Sequence, residues 1–242
     1  MPDAVSAGMK LSLYDWGPSP FCLKVRAILD YKGVPYERIP VLGPRMFEVR
    51  RRGRVGKVPA LDIDGRLVVD STEIAHELER LFPKPGIVPS DSRQRALCHV
   101  IEDWADEALY FIGLHFQWID AEGAPMVAHA FERSVFGRAA LAVYRRRIRA
   151  QVVGQGTGRK QPAQIAADLE RELDAAAATV DPGPYLLGDQ PMLCDFAVMG
   201  QLVYLSRTPK GGRSLARRPA IGAYLERMRA LRPADSRKSG IT

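Results

Sequence analysis

Pro83-Lys84-Pro85-Gly86, with Pro89-Ser90 just beyond, divides the chain into stretches that follow different hydrophobic periods. A proline ring removes a backbone N–H and clashes with the preceding turn, so no helix continues through residues 83 to 90. A boundary of the kind that separates domains is expected there. Ahead of it, short alternating runs intersperse with one-faced helices. Behind it, every apolar pattern has the helical period.

The first stretch reads as strand (Lys10 to Trp16), helix (Pro20 to Tyr31), strand (Tyr36 to Val41), a weakly helical segment (Pro44 to Arg51) and a hairpin. Gly33 and Pro35 stop the first helix. Its apolar side is Phe21, Val25, Ile28 and Leu29, with Lys24 and Asp30 on the opposite, polar side. The hairpin pairs Val58–Ile63 with Arg66–Val69 around Asp64-Gly65, the dipeptide that a tight two-residue turn favours. Asp70 or Ser71 then caps a helix whose Ile74, Leu78, Leu81 and Phe82 face the sheet. Only a mixed α/β fold fits this order. After Asp91 the pattern predicts helices over Arg93–Ile119, Pro125–Val153, Pro162–Thr179, Leu193–Ser206 and Pro219–Leu231, with a Gly-rich break at Gly154 to Gly158. Without an internal repeat, this half reads as an all-helical bundle. The expected division is an α/β domain over 9–83 and a helical domain over 91–232, preceded by a disordered leader, Met1 to Gly8.

With 242 residues the chain has room for one large or two modest domains. No apolar run approaches the roughly 20 residues of a membrane span, and the first ten residues lack a signal-peptide pattern. A cytoplasmic location and no membrane partner are therefore expected. Cys22, Cys98 and Cys194 are odd in number and far apart, which argues against a disulfide framework. Neither they nor the four histidines have the spacing of a metal site, so no metal is expected. The net charge of +7 suits anionic small molecules as well as nucleic acid. Its clusters, at Arg50–Arg54, at Arg145–Arg147 and in the tail after Arg232, lack the interleaved aromatics of a base-stacking surface. They read as solvated faces, and no nucleic-acid partner is expected.

Chemistry concentrates at three turns of the α/β half. Ser19 stands at the first strand-to-helix turn, beside helix N–H groups that lack intrahelical partners and attract anions. Val58-Pro59 opens a strand, where a cis proline would leave the neighbouring backbone open to an extended peptide. Asp70-Ser71 opens a helix and offers a carboxylate for an ammonium group and a hydroxyl with N–H groups for a carboxylate. Together they describe a pocket for a small zwitterionic peptide whose thiol lies beside Ser19.

Ser19-Pro20-Phe21-Cys22 with Val25-Arg26, then Lys57-Val58-Pro59-Ala60-Leu61, then Asp70-Ser71 with Ile74, resembles the glutathione-binding half of the cytosolic glutathione transferases. Leu187-Gly188-Asp189-Gln190-Pro191 followed by Asp195 is similar to a segment of their helical half. The resemblance implies a thioredoxin-like α/β domain followed by an all-α domain, detoxifying transferase activity and a homodimer, with glutathione as co-substrate. It implies Ser19 as the catalytic hydroxyl, as in the theta and zeta classes, at the position where omega-class enzymes and glutaredoxins carry a cysteine. Val58 would then meet the cysteinyl backbone, Pro59 would be cis, and Asp70 and Ser71 would hold the γ-glutamyl end. Lys57, with Arg54, would meet the glycine carboxylate, and Phe21 would complete the glutathione site. The partner would be an apolar small-molecule electrophile lying against Trp104, Tyr110 or Trp118 in the first long helix of the bundle. This chain departs from the family at Met192, where a capping Ser or Thr is usual, and in the Gly-rich stretch Gln151 to Gln161.

Blander readings stand beside each of these. Ser19 is an ordinary turn residue before a proline, Asp70-Ser71 an ordinary helix cap, and Cys22 a small packing residue. Glu102, Asp103, Asp106 and Glu107 read as acids placed by the helix dipole. A non-catalytic module of the same fold, and a thiol transferase or peroxidase, are the rival functions.

Overall fold

The computed structural model describes residues 8–41, 45–54, 56–131 and 135–231. Leader residues 1–7, Pro44 and the expected terminal boundary at Arg232 lie outside that range. Strands β1 (Leu11–Asp15), β2 (Glu37–Pro40), β3 (Ala60–Ile63) and β4 (Arg66–Val69) form one sheet in the order β2-β1-β3-β4. β1 runs parallel to β2 and antiparallel to β3, and β3 and β4 form the hairpin predicted around Asp64-Gly65. Asp64 and Gly65 both have positive φ, as that turn requires. Helices α1 (Pro20–Tyr31), α2 (Arg45–Gly53) and α3 (Ser71–Leu81) complete this half. Val25, Ile28, Leu29, Ile74 and Leu78 pack with Leu13 and Leu61 of the sheet.

The rest is helical. α4 (Ser92–Asp103), a π-helical stretch (Trp104–Leu109) and α5 (Tyr110–Trp118) follow one another without interruption where a single helix was expected. α6 (Gly123–Phe131) and α7 (Val135–Gln155) occupy the second predicted helix, on either side of residues 132–134. The break predicted at Gly154 falls later: α7 runs on to Gln155 and a single 3-10 turn (Thr157–Arg159) follows. Gln155 makes that turn, its side chain accepting from the Thr157 amide at 3.0 Å and the Thr157 hydroxyl at 2.7 Å. α8 (Pro162–Val180) and α9 (Leu193–Ser206) lie close to their predicted bounds. α10 (Pro209–Ala216) was not expected, because Gly211-Gly212 masks the Thr208 cap and the proline at its first position. α11 (Pro219–Ala230) closes the bundle.

One apolar core joins both halves, running from Leu13 and Ile28 through Phe196 and Leu202 to Leu169 and Tyr224. α1 and α9 come together closely because Gly200 has no side chain: a Cβ there would stand 2.7 Å from the carbonyl oxygen of Pro20. The first turn of α1 therefore sits directly on the backbone of α9. At the start of α9 the missing Ser or Thr cap is only half a loss. The fully buried Asp195 carboxylate accepts from the Met192 amide at 2.8 Å and the Leu186 amide at 3.0 Å, and the Tyr224 hydroxyl donates to it at 3.2 Å. Met192 offers no matching side-chain acceptor.

Candidate active site

Strand register gathers the three turns. Tyr14 of β1 pairs with Ala60 of β3, and Ala60 pairs with Val69 of β4. The exit of β1 toward Ser19, the entry of β3 from Val58-Pro59, and the exit of β4 into Asp70-Ser71 thus lie at the same end of the sheet. The Val58–Pro59 peptide is cis. The strand itself begins at Ala60 rather than Val58, so Val58 stands outside the ladder.

Each turn is held firmly. Ser19 is buried, caps α1 and accepts at Oγ from the Cys22 amide at 3.3 Å, while its own amide donates to the Trp16 carbonyl at 2.9 Å. Under this turn lies buried Asp15, paired with Arg26 and Arg38. Arg26 also reaches the Gly17 carbonyl at 3.4 Å, and Arg207 reaches the Pro18 carbonyl at 3.2 Å. Asp70 caps α3 with Oδ1 accepting from the Thr72 amide at 2.9 Å and the Glu73 amide at 3.4 Å. Its φ of 88° is a conformation that costs a non-glycine residue energy and that persists where the surroundings enforce it. Ser71 is buried beside it, and its hydroxyl makes no hydrogen bond to the described residues.

Lys57 is exposed and Val58 half-buried. Burial and the charges of Asp103, Asp106 and Asp70 raise the Glu107 carboxyl above its ordinary range, with Lys57 opposing. The π-helical stretch therefore overlooks the site end of the sheet. Phe21 meets Tyr110 edge to face at 4.7 Å, which brings the first turn of α1 against the bundle.

Tyr110 and Trp118, proposed from sequence for the co-substrate side, belong to one aromatic cluster with Tyr204. The Trp118 indole donates to the Tyr204 hydroxyl at 3.2 Å, and Tyr110 lies 6.2 Å from that ring. Trp118 also lines a cleft of about 270 Å³ bounded by Trp16, Pro18, Gln117, Val127 and Arg207, next to the turn that carries Ser19. Trp104 does not join them. It packs on the main core, and its indole donates to Glu172 of α8 at 2.6 Å. The π-helical stretch between Trp104 and Tyr110 changes the angular relation that a regular helix would give them.

Two sequence expectations fail at the seam between the halves. Lys24 is turned inward, 1% exposed, where a solvated position was expected. Its Nζ donates to Glu102 at 2.6 Å, to Asp106 at 2.7 Å and to Thr72 Oγ1 at 3.2 Å. Thr72 in turn donates to Glu102 at 2.7 Å, and Gln201 donates to Asp106 at 3.2 Å. Glu102 and Asp106 are thus a buried pair of acids holding α1 and α3 to the bundle, not surface charges placed by a helix dipole. Burial works to raise Glu102, but Lys24 and Thr72 outweigh it and hold the carboxyl below its usual range. At Asp106 burial prevails over Lys24 and the carboxyl is raised.

Cys22 is fully buried, with burial pushing its thiol up to about 12 against the smaller opposing effects of the Trp16 amide and the Ser19 hydroxyl. A thiol so placed is protonated at neutral pH and suited to packing rather than to exchange. Among the described residues no cluster of His, Cys, Asp or Glu has the makings of a metal site.

Residues 13–86 match the glutathione S-transferase N-terminal domain model, and residues 117–227 match the glutathione S-transferase C-terminal domain model. Protein LigF of Sphingobium sp. is 31% identical over a 242-residue alignment covering 93% of this chain and 91% of that protein. The isoprene-epoxide–glutathione S-transferase of Rhodococcus sp. is 26% identical over 220 residues, covering 87% and 91%. The crystal structure of beta-etherase LigF from Sphingobium sp. superposes with a TM-score of 0.68 at 25% identity, covering 94% of this chain and 98% of that one. A thioredoxin-like domain joined to a helical bundle, with a serine at the first turn, is thus the fold at hand. The chain belongs to the cytosolic glutathione transferase superfamily, and it is a glutathione-transferase-type enzyme. Members of that family use glutathione as co-substrate and commonly dimerise.

Proposed function

We propose that Ser19 activates the thiol of glutathione by hydrogen bonding and that the sulfur attacks a carbon whose bond to oxygen then breaks. The observation that carries this reading is the meeting of Ser19, Val58–Pro59 and Asp70-Ser71 at one end of the sheet. Val58, outside the ladder, pairs with the cysteinyl backbone behind the cis peptide at Pro59. Asp70 takes the γ-glutamyl ammonium, the Ser71 hydroxyl takes its carboxylate, and Lys57 with Arg54 meets the glycine carboxylate. Phe21 closes the site from the first turn of α1. Lowering a thiol from about 8.5 to about 6.5 takes roughly 2.7 kcal/mol. A hydrogen bond to a charged group contributes roughly 1.5 to 3 kcal/mol, and a helix N-terminus adds about 0.3 to 1 kcal/mol.

The two full-length relatives named above, an isoprene-epoxide transferase and a beta-etherase, support an electrophile with an oxygen leaving group. In that step the sulfur–carbon bond forms as the carbon–oxygen bond breaks, and the departing oxygen takes up a proton. The cleft beside Trp118 and Trp16, with the Tyr110 cluster behind it, is the side on which an apolar electrophile lies; Trp104 is assigned no part. In this reading 9–83 binds glutathione, 91–232 binds the co-substrate, and the enzyme works in the cytoplasm as a homodimer, which sedimentation equilibrium tests.

Ser19→Ala is expected to keep glutathione binding, to lower turnover against epoxides and aryl ethers, and to raise the apparent pKa in the pH–rate profile. An unchanged profile would remove the role assigned to Ser19. If calorimetry detects no glutathione binding by the parent protein at millimolar concentration, the enzymatic reading itself falls.

A further inference from the structure

The net charge of +7 resides in one segment. Residues 133–167 contain seven arginines, one lysine and no acid; taking those 8 from 35 cations leaves 27 against 28 acids, so the other residues sum to −1. Helix α7 displays most of this segment. Its inner side, Leu141, Ile148 and Val152, is buried. Its outer side presents Ala139, Val143, Arg146, Ala150 and Val153 at alternating spacings of four and three, all exposed, with Val143 at 72%. Arg147 and Arg149 flank that stripe, and Arg145 lies beside Arg149. None of these four arginines makes a hydrogen bond or ion pair with a described residue. By contrast Arg26, Arg38, Arg52, Arg66 and Arg218 are all paired.

We propose that the outer face of α7 is a docking surface for an anionic lipid bilayer. Concentrated positive charge is attracted to such a surface, and an exposed helix face on which small apolar residues are interspersed with arginines matches a helix lying in the headgroup layer. Arginine stems lie along the apolar boundary while their guanidinium groups reach lipid phosphates. Val143 and Val153 are small, so insertion is shallow and charge dominates the binding. Nucleic acid fits less well, because among the described residues no aromatic ring is available between the arginines for stacking: Tyr144 is turned against Trp118 at 4.9 Å. Among the described residues no helix is long and apolar enough to cross a membrane, so the attachment is peripheral. Docking through α7 would bring the cleft beside Trp118 close to the bilayer, from which an apolar compound can partition.

The test is sedimentation of the full chain with vesicles of phosphatidylcholine alone and of phosphatidylcholine with phosphatidylglycerol, at about 0.05 M and about 0.5 M salt. Binding is expected only to the anionic vesicles and only at low salt. Each arginine at an anionic surface contributes about fivefold. The combined Arg145→Gln, Arg146→Gln, Arg147→Gln and Arg149→Gln variant should therefore lose more than about tenfold in partitioning, with an unchanged melting curve. Equal binding by that variant, or no binding of the parent to anionic vesicles at low salt, would overturn the proposal. So would arginine-dependent binding to a DNA duplex at concentrations where vesicles do not bind.

Discussion

Replacing Lys24 by methionine tests what holds the two halves together. The substitution keeps most of the volume and removes the only ammonium among the described residues that contacts Glu102 and Asp106, at 2.6 and 2.7 Å. Both carboxylates stay buried, so the variant must either keep uncompensated charges or protonate them. Breaking a buried pair from one side costs about 3 to 5 kcal/mol. For a chain of this size each kcal/mol lowers Tm by roughly 2 to 4 °C, so a drop of about 6 to 20 °C is expected. The pH dependence carries the sharper information. In the parent, Glu102 lies below its unfolded value, so its contribution is present at neutral pH and fades as pH falls. Asp106 lies above its unfolded value, so its contribution has the opposite slope and weakens as pH rises through the window above about 4. Without Lys24 both groups are raised, the folded state takes up protons more readily than the unfolded one, and acid stabilises the variant. Urea unfolding at pH 7.5 and pH 5.5 should therefore show a large gap between parent and variant at the higher pH and a smaller one at the lower. A gap below about 1 kcal/mol at pH 7.5, or one equal at both values, would refute the assignment.

Other outcomes follow from single contacts. Met192→Ser supplies the acceptor missing at the start of α9 and should stabilise the protein by about 1 kcal/mol in thermal melts. Asp195 is raised to about 6 chiefly by burial, so its share of stability falls as pH rises from about 4 to 6. Asp195→Asn should abolish that slope in pH-dependent unfolding and lower stability at neutral pH. Gly200→Ala places a methyl 2.7 Å from the Pro20 carbonyl oxygen and should cost about 1 to 3 kcal/mol while weakening glutathione affinity through the displaced first turn of α1. Cys22, fully buried with a thiol near 12, should resist iodoacetamide at pH 8 in the folded protein and react once urea unfolds it.

The α/β half was legible because its signals are local. Asp64-Gly65 dictates a hairpin, Pro59 a strand entry, and Ser19-Pro20 a helix start, each through the backbone geometry of one or two residues. The three candidate turns were therefore nameable before their meeting at one end of the sheet was known. Lys24 was misread because periodicity assigns a side chain to a face of its own helix and is silent about a second layer arriving on that face. α1 is covered by the sheet on one side and by α9 on the other, so its polar side is buried too. The closeness of that second layer depends on Gly200, a residue whose spacing carries no helical signal of its own. Trp104 was misplaced for a related reason: a π-helical stretch leaves no mark in a hydrophobic pattern, yet it rotates everything after it. Long-range packing thus decides the same two matters that local reading missed, which charged groups are buried and which aromatics face the cleft. It follows that the proposed co-substrate side, built from the bundle, is less legible in sequence than the proposed glutathione side, built from turns.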